Sequence, residues 1–270
     1  MLELPEIETL RRETEREIAG RKLKAVDADP GRLADGLEPS DLLRLEGAKV
    51  ASVKRRGGHL VFNIDGGDRL LLEIVNGVAL RRGKGDEPAW IELGFTQGGP
   101  VRALEGVGNP RLRLTTLAEL DSVVPPSKAI DLAEQAVSWV VFARAFVGAG
   151  GPLRRLLTDP AMVESIGPLY ADEILWQAGL RPDRRADRLG SQELRRLYRS
   201  TAEVLHDALK AGGTTTAANG FSDLAGKPGG YQELLEVFGR DGQPCRRCRG
   251  TVVHDKLDGA LCYRCPECQV

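Results

Sequence analysis

The sequence predicts a multidomain α+β protein, and three observations carry that expectation. Apolar residues alternate between glycine-rich breaks up to about residue 116, which is a strand pattern. Beyond the break at Val124-Pro125-Pro126 the apolar spacing becomes helical. All five cysteines lie between Cys245 and Cys268, as a metal module would place them and a scattered disulfide framework would not. The 270 residues suit one large domain or two ordinary ones at about 100–200 residues each. With 41% hydrophobic and 29% charged residues, the chain can bury a core and is not disordered by composition. Lys and Arg number 38 against 39 Asp and Glu, a net charge of −1, which excludes nucleic-acid binding by bulk charge but leaves a local basic face open.

The elements follow in chain order. Residues 4–20 read as a helix: Pro5 suits the first turn, Ile7, Leu10 and Ile18 share a face, and Gly20 stops it. From residue 22 to about 116 strands are expected. The clearest unit is a hairpin in which Leu60, Phe62 and Ile64 alternate outward, Gly66-Gly67 turns, and Leu70, Leu72 and Ile74 return. Further glycine breaks at residues 57–58, 83–85 and 98–99 favour an antiparallel sandwich or barrel. Helices are expected over 129–147, 152–157, 169–178 and 191–209. The domain expectation is 1–120 for the β domain, 121–128 for a linker, 129–225 for the helical domain and 236–270 for a finger. The apolar run at 137–147 is broken by Arg144 and falls short of the roughly 18 clean apolar residues of a membrane span. Glu3, Glu6 and Glu8 stand where a secretory signal would carry an apolar region, so a cytoplasmic or nucleoid protein is expected.

Cys245-Arg246-Arg247-Cys248 and Cys265-Pro266-Glu267-Cys268, separated by residues 249–264, form two Cys-x2-Cys knuckles at zinc-ribbon spacing. Cys262-Tyr263-Arg264-Cys265 offers a rival second knuckle. Cys265 with Cys268 is preferred, because Pro266 gives that knuckle a compact turn. A closed four-thiolate site makes the expected single zinc ion structural, stapling a module too small to fold on its own core. His59, His206 and His254 show no paired spacing for a second metal. The arginines of 181–199 alternate with Asp183, Asp187 and Glu193, as on a solvated helical face.

Several stretches sharpen the picture: Glu3-Leu4-Pro5-Glu6-Ile7-Glu8-Thr9, Arg55-Arg56-Gly57, Tyr170-Ala171-Asp172-Glu173-Ile174-Leu175-Trp176, Gly212-Gly213-Thr214-Thr215, Gly226-Lys227-Pro228-Gly229 and Val237-Phe238-Gly239-Arg240-Asp241-Gly242-Gln243-Pro244-Cys245. In order and content the chain resembles the formamidopyrimidine-DNA glycosylase/endonuclease VIII family from residue 3 to residue 268. The resemblance implies an N-terminal β-sandwich with flanking helices, a helix-two-turn-helix domain and a C-terminal zinc-ribbon finger, with double-stranded DNA held in a cleft between domains. Members of this family excise damaged bases and cut the strand through an N-terminal proline, whose secondary amine attacks the sugar C1′. The adjacent Glu moves protons, and a Lys and a finger Arg grip phosphates.

This chain departs from the family at those positions. Leu2 stands where the proline would be, and a bulky residue there should also keep the initiator methionine in place. Gly58 replaces the lysine after Arg-Arg-Gly, Ala260 the finger arginine, and Pro168 the asparagine that opens the phosphate-binding helix. Glu3 and Glu6 are retained as catalytic candidates for an active form. Candidate DNA contacts are Arg55, Arg56, Asn76 at the position of a Met wedge, Arg111, Arg113, Arg154 and Tyr170. Groups of this kind act as a unit, and losing the nucleophile alone forfeits several powers of ten in rate. The expected function is therefore recognition of damaged or distorted DNA by a monomer on a base-excision-repair scaffold, with glycosylase/lyase chemistry lost or strongly altered. The alternatives are an active glycosylase or abasic-site lyase using a relocated amine (Met1 or a lysine such as Lys54) with Glu3, and an interaction scaffold that no longer binds DNA.

Overall fold

The computed structural model describes residues 1–74, 77–105, 108–133 and 137–270. It has two compact units: Met1–Ser127 with Gly212–Gly229, and Lys128–Ala211 with Gly230–Val270. The stretch expected as one helical domain, 129–225, is thus divided, since the chain returns to the first unit at Gly212. Among the described residues no helix is long and apolar enough to cross a membrane.

The first unit is a β-sandwich led by a helix. Helix α1 (Leu4–Ile18) takes Pro5 in its first turn and buries Ile7, Leu10 and Ile18. Strand β1 (Leu23–Ala28) joins β6 (Ala89–Phe95), β7 (Val101–Leu104) and β5 (Leu80–Arg82) in one sheet. The other sheet runs β2 (Val50–Arg56), β3 (His59–Ile64), β4 (Asp68–Glu73), β8 (Leu112–Thr116). All pairings are antiparallel. The β3–β4 hairpin sets Leu60 opposite Leu72 and Phe62 opposite Leu70, so the expected alternation is its inward face. That face closes on Leu80, Leu93, Val101 and Ala103 of the opposite sheet. Val61 and Leu71, on the outward face, are also buried, because α3 (Leu120–Val123) covers them with Leu120. Phe221 and Leu224 of the returning segment complete the main core.

Two expectations are corrected. The strand region is interrupted by a turn of helix α2 (Pro39–Leu42) and a 3-10 turn at Leu43–Leu45, where Pro39 occupies the first helical position under N-cap Glu38. The helix expected over 129–147 begins only at Trp139: α4 (Trp139–Val147) is capped by Ser138, whose hydroxyl accepts from the Val141 N–H. Ahead of it Ile130 bridges to Val163, and residues 134–136 lie outside the described residues.

In the second unit, α5 (Leu153–Leu157), α6 (Pro168–Ala178) and α7 (Ser191–Lys210) fall where helical spacing puts them. Helix α6 is buried on nearly every side and ends at Gly179 in the left-handed region, φ +65°. The ribbon is a hairpin of β9 (Val253–Leu257) and β10 (Ala260–Arg264). Its turn residues Asp258 and Gly259 have φ of +51° and +81°, as an Asp-Gly type I′ turn requires.

Candidate functional site

The start of α1 is anchored from both sides. Leu2 is only 2% exposed and belongs to the sandwich core, while Met1 is 76% exposed. Glu3 is the extended N-cap residue of α1 and half-buried. Glu6, 1% exposed, accepts from the Glu3 N–H at 3.1 Å through Oε2 and from the Thr214 N–H at 2.7 Å through Oε1. It therefore ties the helix start to the returning segment. Gly213 has φ +84°, and a Cβ there would stand 3.1 Å from Glu6 Oε1 and from the Phe221 ring, so backbone conformation and space both require glycine.

The candidate DNA contacts separate by burial. The Arg55 side chain is wholly buried and faces Glu8 at 3.7 Å; Glu8 in turn accepts from Arg11 and Arg12. Arg154 is equally enclosed. Its Nε donates to Asp172 at 2.6 Å and its Nη2 to the Leu261 carbonyl at 2.5 Å. Tyr170 is fully buried on α6, its ring 5.8 Å from that of Tyr231. Contrary to expectation, these three side chains are packing and pairing elements inside their units. Arg56 and Arg111 do reach the surface, paired with Asp121 at 2.7 Å and Asp35 at 3.1 Å. Arg113 is exposed on β8 opposite Leu71. Asn76 lies outside the described residues.

The three positions set against the family in the sequence reading have ordinary local settings. Gly58 sits in the β2–β3 turn, where its carbonyl accepts from the Ile74 N–H at 2.8 Å. Pro168 is exposed at the first position of α6, after N-cap Gly167. Ala260 is exposed at the start of β10.

The four sulfurs of Cys245, Cys248, Cys265 and Cys268 lie within 4.8 Å of one another and could hold a metal ion. The Cys245–Cys268 and Cys248–Cys265 separations are 3.8 and 3.5 Å. Four thiolates about 2.3 Å from a tetrahedral zinc would be about 3.8 Å apart, so the set fits that ion. The rival Cys262 points elsewhere, its buried thiol 3.5 Å from Asp172 Oδ1. Burial, with the Asp172 charge beside it, pushes that thiol up to about 12, so it stays protonated.

Helix α6 seats the ribbon through groups that local sequence patterning does not reveal. Asp172 accepts from the Tyr263 N–H at 2.8 Å as well as from Arg154. Burial raises its carboxyl above the usual range, against the pull of Arg154. Glu173 accepts from the N–H groups of Glu236, Val237 and Phe238 at 2.8–2.9 Å. Its burial outweighs those bonds and raises it to about 7. Arg247, inside the first knuckle, stacks 4.0 Å from the Trp176 ring and donates to the Trp176 and Gln177 carbonyls. Gln269 accepts from the Cys265 N–H and donates to the Leu180 carbonyl. The arginines expected on a solvated helical face lie partly before that helix, which begins at Ser191, and they pair locally: Arg181 with Asp183, Arg185 with Asp187, Arg184 with Glu193.

Residues 1–84 match the formamidopyrimidine-DNA glycosylase N-terminal domain, and residues 130–219 the formamidopyrimidine-DNA glycosylase H2TH domain. The formamidopyrimidine-DNA glycosylase of Heliobacterium modesticaldum is 34% identical over 280 residues, covering all of both chains. That of Thermus thermophilus is 33% identical over 276 residues, covering all of this chain and 98% of the relative. The crystal structure of the MutM (Fpg) protein from Thermus thermophilus superposes with a TM-score of 0.82 at 30% identity, covering 99% of this chain and 98% of that one. A complex of Lactococcus lactis Fpg with abasic-site DNA superposes with a TM-score of 0.83 at 26% identity, covering 99% of each chain.

Proposed function

The chain belongs to the formamidopyrimidine-DNA glycosylase family, and from that premise we propose that it binds damaged or distorted duplex DNA with the glycosylase/lyase chemistry lost or strongly altered. The Lactococcus lactis relative bound to abasic-site DNA supports the choice of ligand. The observation that carries the reading is residue 2. A leucine replaces the proline whose secondary amine the family uses, and its side chain is drawn into the sandwich core. Covalent amine catalysis needs a reactive nitrogen held at one defined place. The cationic partners are replaced as well, at Gly58 and Ala260. Glu3 and Glu6 remain, and Glu6 has a structural use that needs no catalysis: it clamps the α1 start to Thr214.

On this reading one zinc ion sits on Cys245, Cys248, Cys265 and Cys268 and supplies no reactive position, because all four ligands are protein thiolates. The protein works as a monomer in the cytoplasm or nucleoid. Borohydride trapping on abasic-site and oxidised-base duplexes tests the chemistry, and no covalent adduct is expected. A strong adduct abolished by blocking the N-terminus would restore the active reading with Met1 as nucleophile. Gel-shift titration across salt tests the binding: retardation that weakens steeply with salt is expected. No retardation at the lowest salt would leave the interaction scaffold.

A further inference from the structure

Four of the arginines read as DNA contacts each sit against a carboxylate of this same chain. Two pairs are interior: Arg55 with Glu8, and Arg154 with Asp172. The other two are at the surface of the sandwich unit. Arg56 Nη2 is 2.7 Å from Asp121 Oδ1, and Arg111 Nη1 is 3.1 Å from Asp35 Oδ1. The acidic partners come from remote stretches of chain, Asp121 from the first turn of α3 and Asp35 from the loop after β1. Their side chains are 73% and 94% exposed.

We infer that Asp35 and Asp121 are built-in counter-ions that hold Arg111 and Arg56 until DNA displaces them. The inference rests on the DNA reading above and adds a regulating element to it. The exposure separates these two pairs from the interior ones. A pair open to water is weak and screened by salt, so a polyanion can exchange with it. An interior pair such as Arg154–Asp172 cannot be opened without leaving a charge buried. Each surface aspartate therefore lowers DNA affinity in two ways. It occupies the guanidinium, and it leaves a negative charge beside the incoming phosphates.

The test is fluorescence anisotropy with an abasic-site duplex across a salt series, on the full chain and on Asp35→Asn, Asp121→Asn and the double variant. Each single change should tighten binding by about two- to fivefold at low salt, the range of an exposed pair. The gain from Asp35→Asn should vanish in an Arg111→Ala background, and that from Asp121→Asn in Arg56→Ala. Equal gains in those backgrounds would overturn the inference, because the aspartates would then act only as charges on the face. So would a parent chain that binds while every variant binds identically, an outcome that leaves the DNA reading intact. If neither the parent nor the double variant binds at any salt, the DNA reading fails and the inference falls with it.

Discussion

The start of α1 and the cysteine ribbon are both braced by buried carboxylates but differ in the groups they bring together. At the ribbon four thiols converge, and Asp172, Glu173 and Trp176 of α6, with Gln269, hold the ribbon in place. At α1 the architecture is equally complete, with Glu6 clamped to Thr214 and Glu8 among Arg11, Arg12 and Arg55, yet position 2 carries an apolar anchor rather than an amine donor. Leu2 contributes to the core, so packing alone accounts for its place in the scaffold.

The largest expected effect lies at the ribbon. Cys265→Ser should abolish binding of one equivalent of zinc and unfold the β9–β10 hairpin, because the free energy of a structural zinc site is folding free energy of about 10–16 kcal/mol in small modules. Zinc released per chain to a colorimetric chelator, with amide dispersion of 253–264 in NMR spectra, reads both. A hairpin that keeps its dispersion without zinc would show that α6 alone holds the ribbon. Next is Arg154→Ala, which strands Asp172 as an uncompensated buried charge and should cost about 3–5 kcal/mol in urea denaturation. A loss under about 1 kcal/mol would show that Tyr263 and Cys262 suffice as its partners.

At the other end, Leu2→Ala should cost about 2–5 kcal/mol, as for any core leucine, and leave DNA affinity unchanged after correction for the folded fraction. A drop in affinity without loss of stability would place Leu2 at the DNA instead of in the core.

The contrast also shows what a sequence displays. The β3–β4 hairpin, α6 and the four clustered cysteines are legible because alternation, helical spacing and the Cys-x2-Cys interval are local patterns. Pro266 favours Cys265 with Cys268 over Cys262, and the thiol of Cys262 turns toward Asp172. The uses of Arg55 and Arg154 were not legible. An arginine in a basic-looking motif reads as a surface cation, and nothing in local spacing reveals a carboxylate on another element that draws it inside. The roles of Asp35 and Asp121 are hidden for the same reason: their partners are 76 and 65 positions away. The start of α4 depended on a single cap, Ser138, inside a longer apolar run.

The smallest effect separates the two carboxylate sets by their response to pH. Glu173 is raised from 4.5 to about 7, first by burial and also by the Glu236 charge, against its three N–H bonds. Between those two values the native chain holds a proton that the unfolded chain has released, so stability must fall as pH rises through the window. The loss is at most about 3 kcal/mol for a shift of this size, complete above the native value and absent below the unfolded one. Urea midpoints of the zinc-loaded chain between pH 5.5 and 8 should decline, and those of Glu173→Gln, lower throughout, should be flatter. A parent profile as flat as that of the variant would mean that the three N–H bonds hold the carboxylate ionised, as bonds to Glu236, Val237 and Phe238 would if they outweighed its burial.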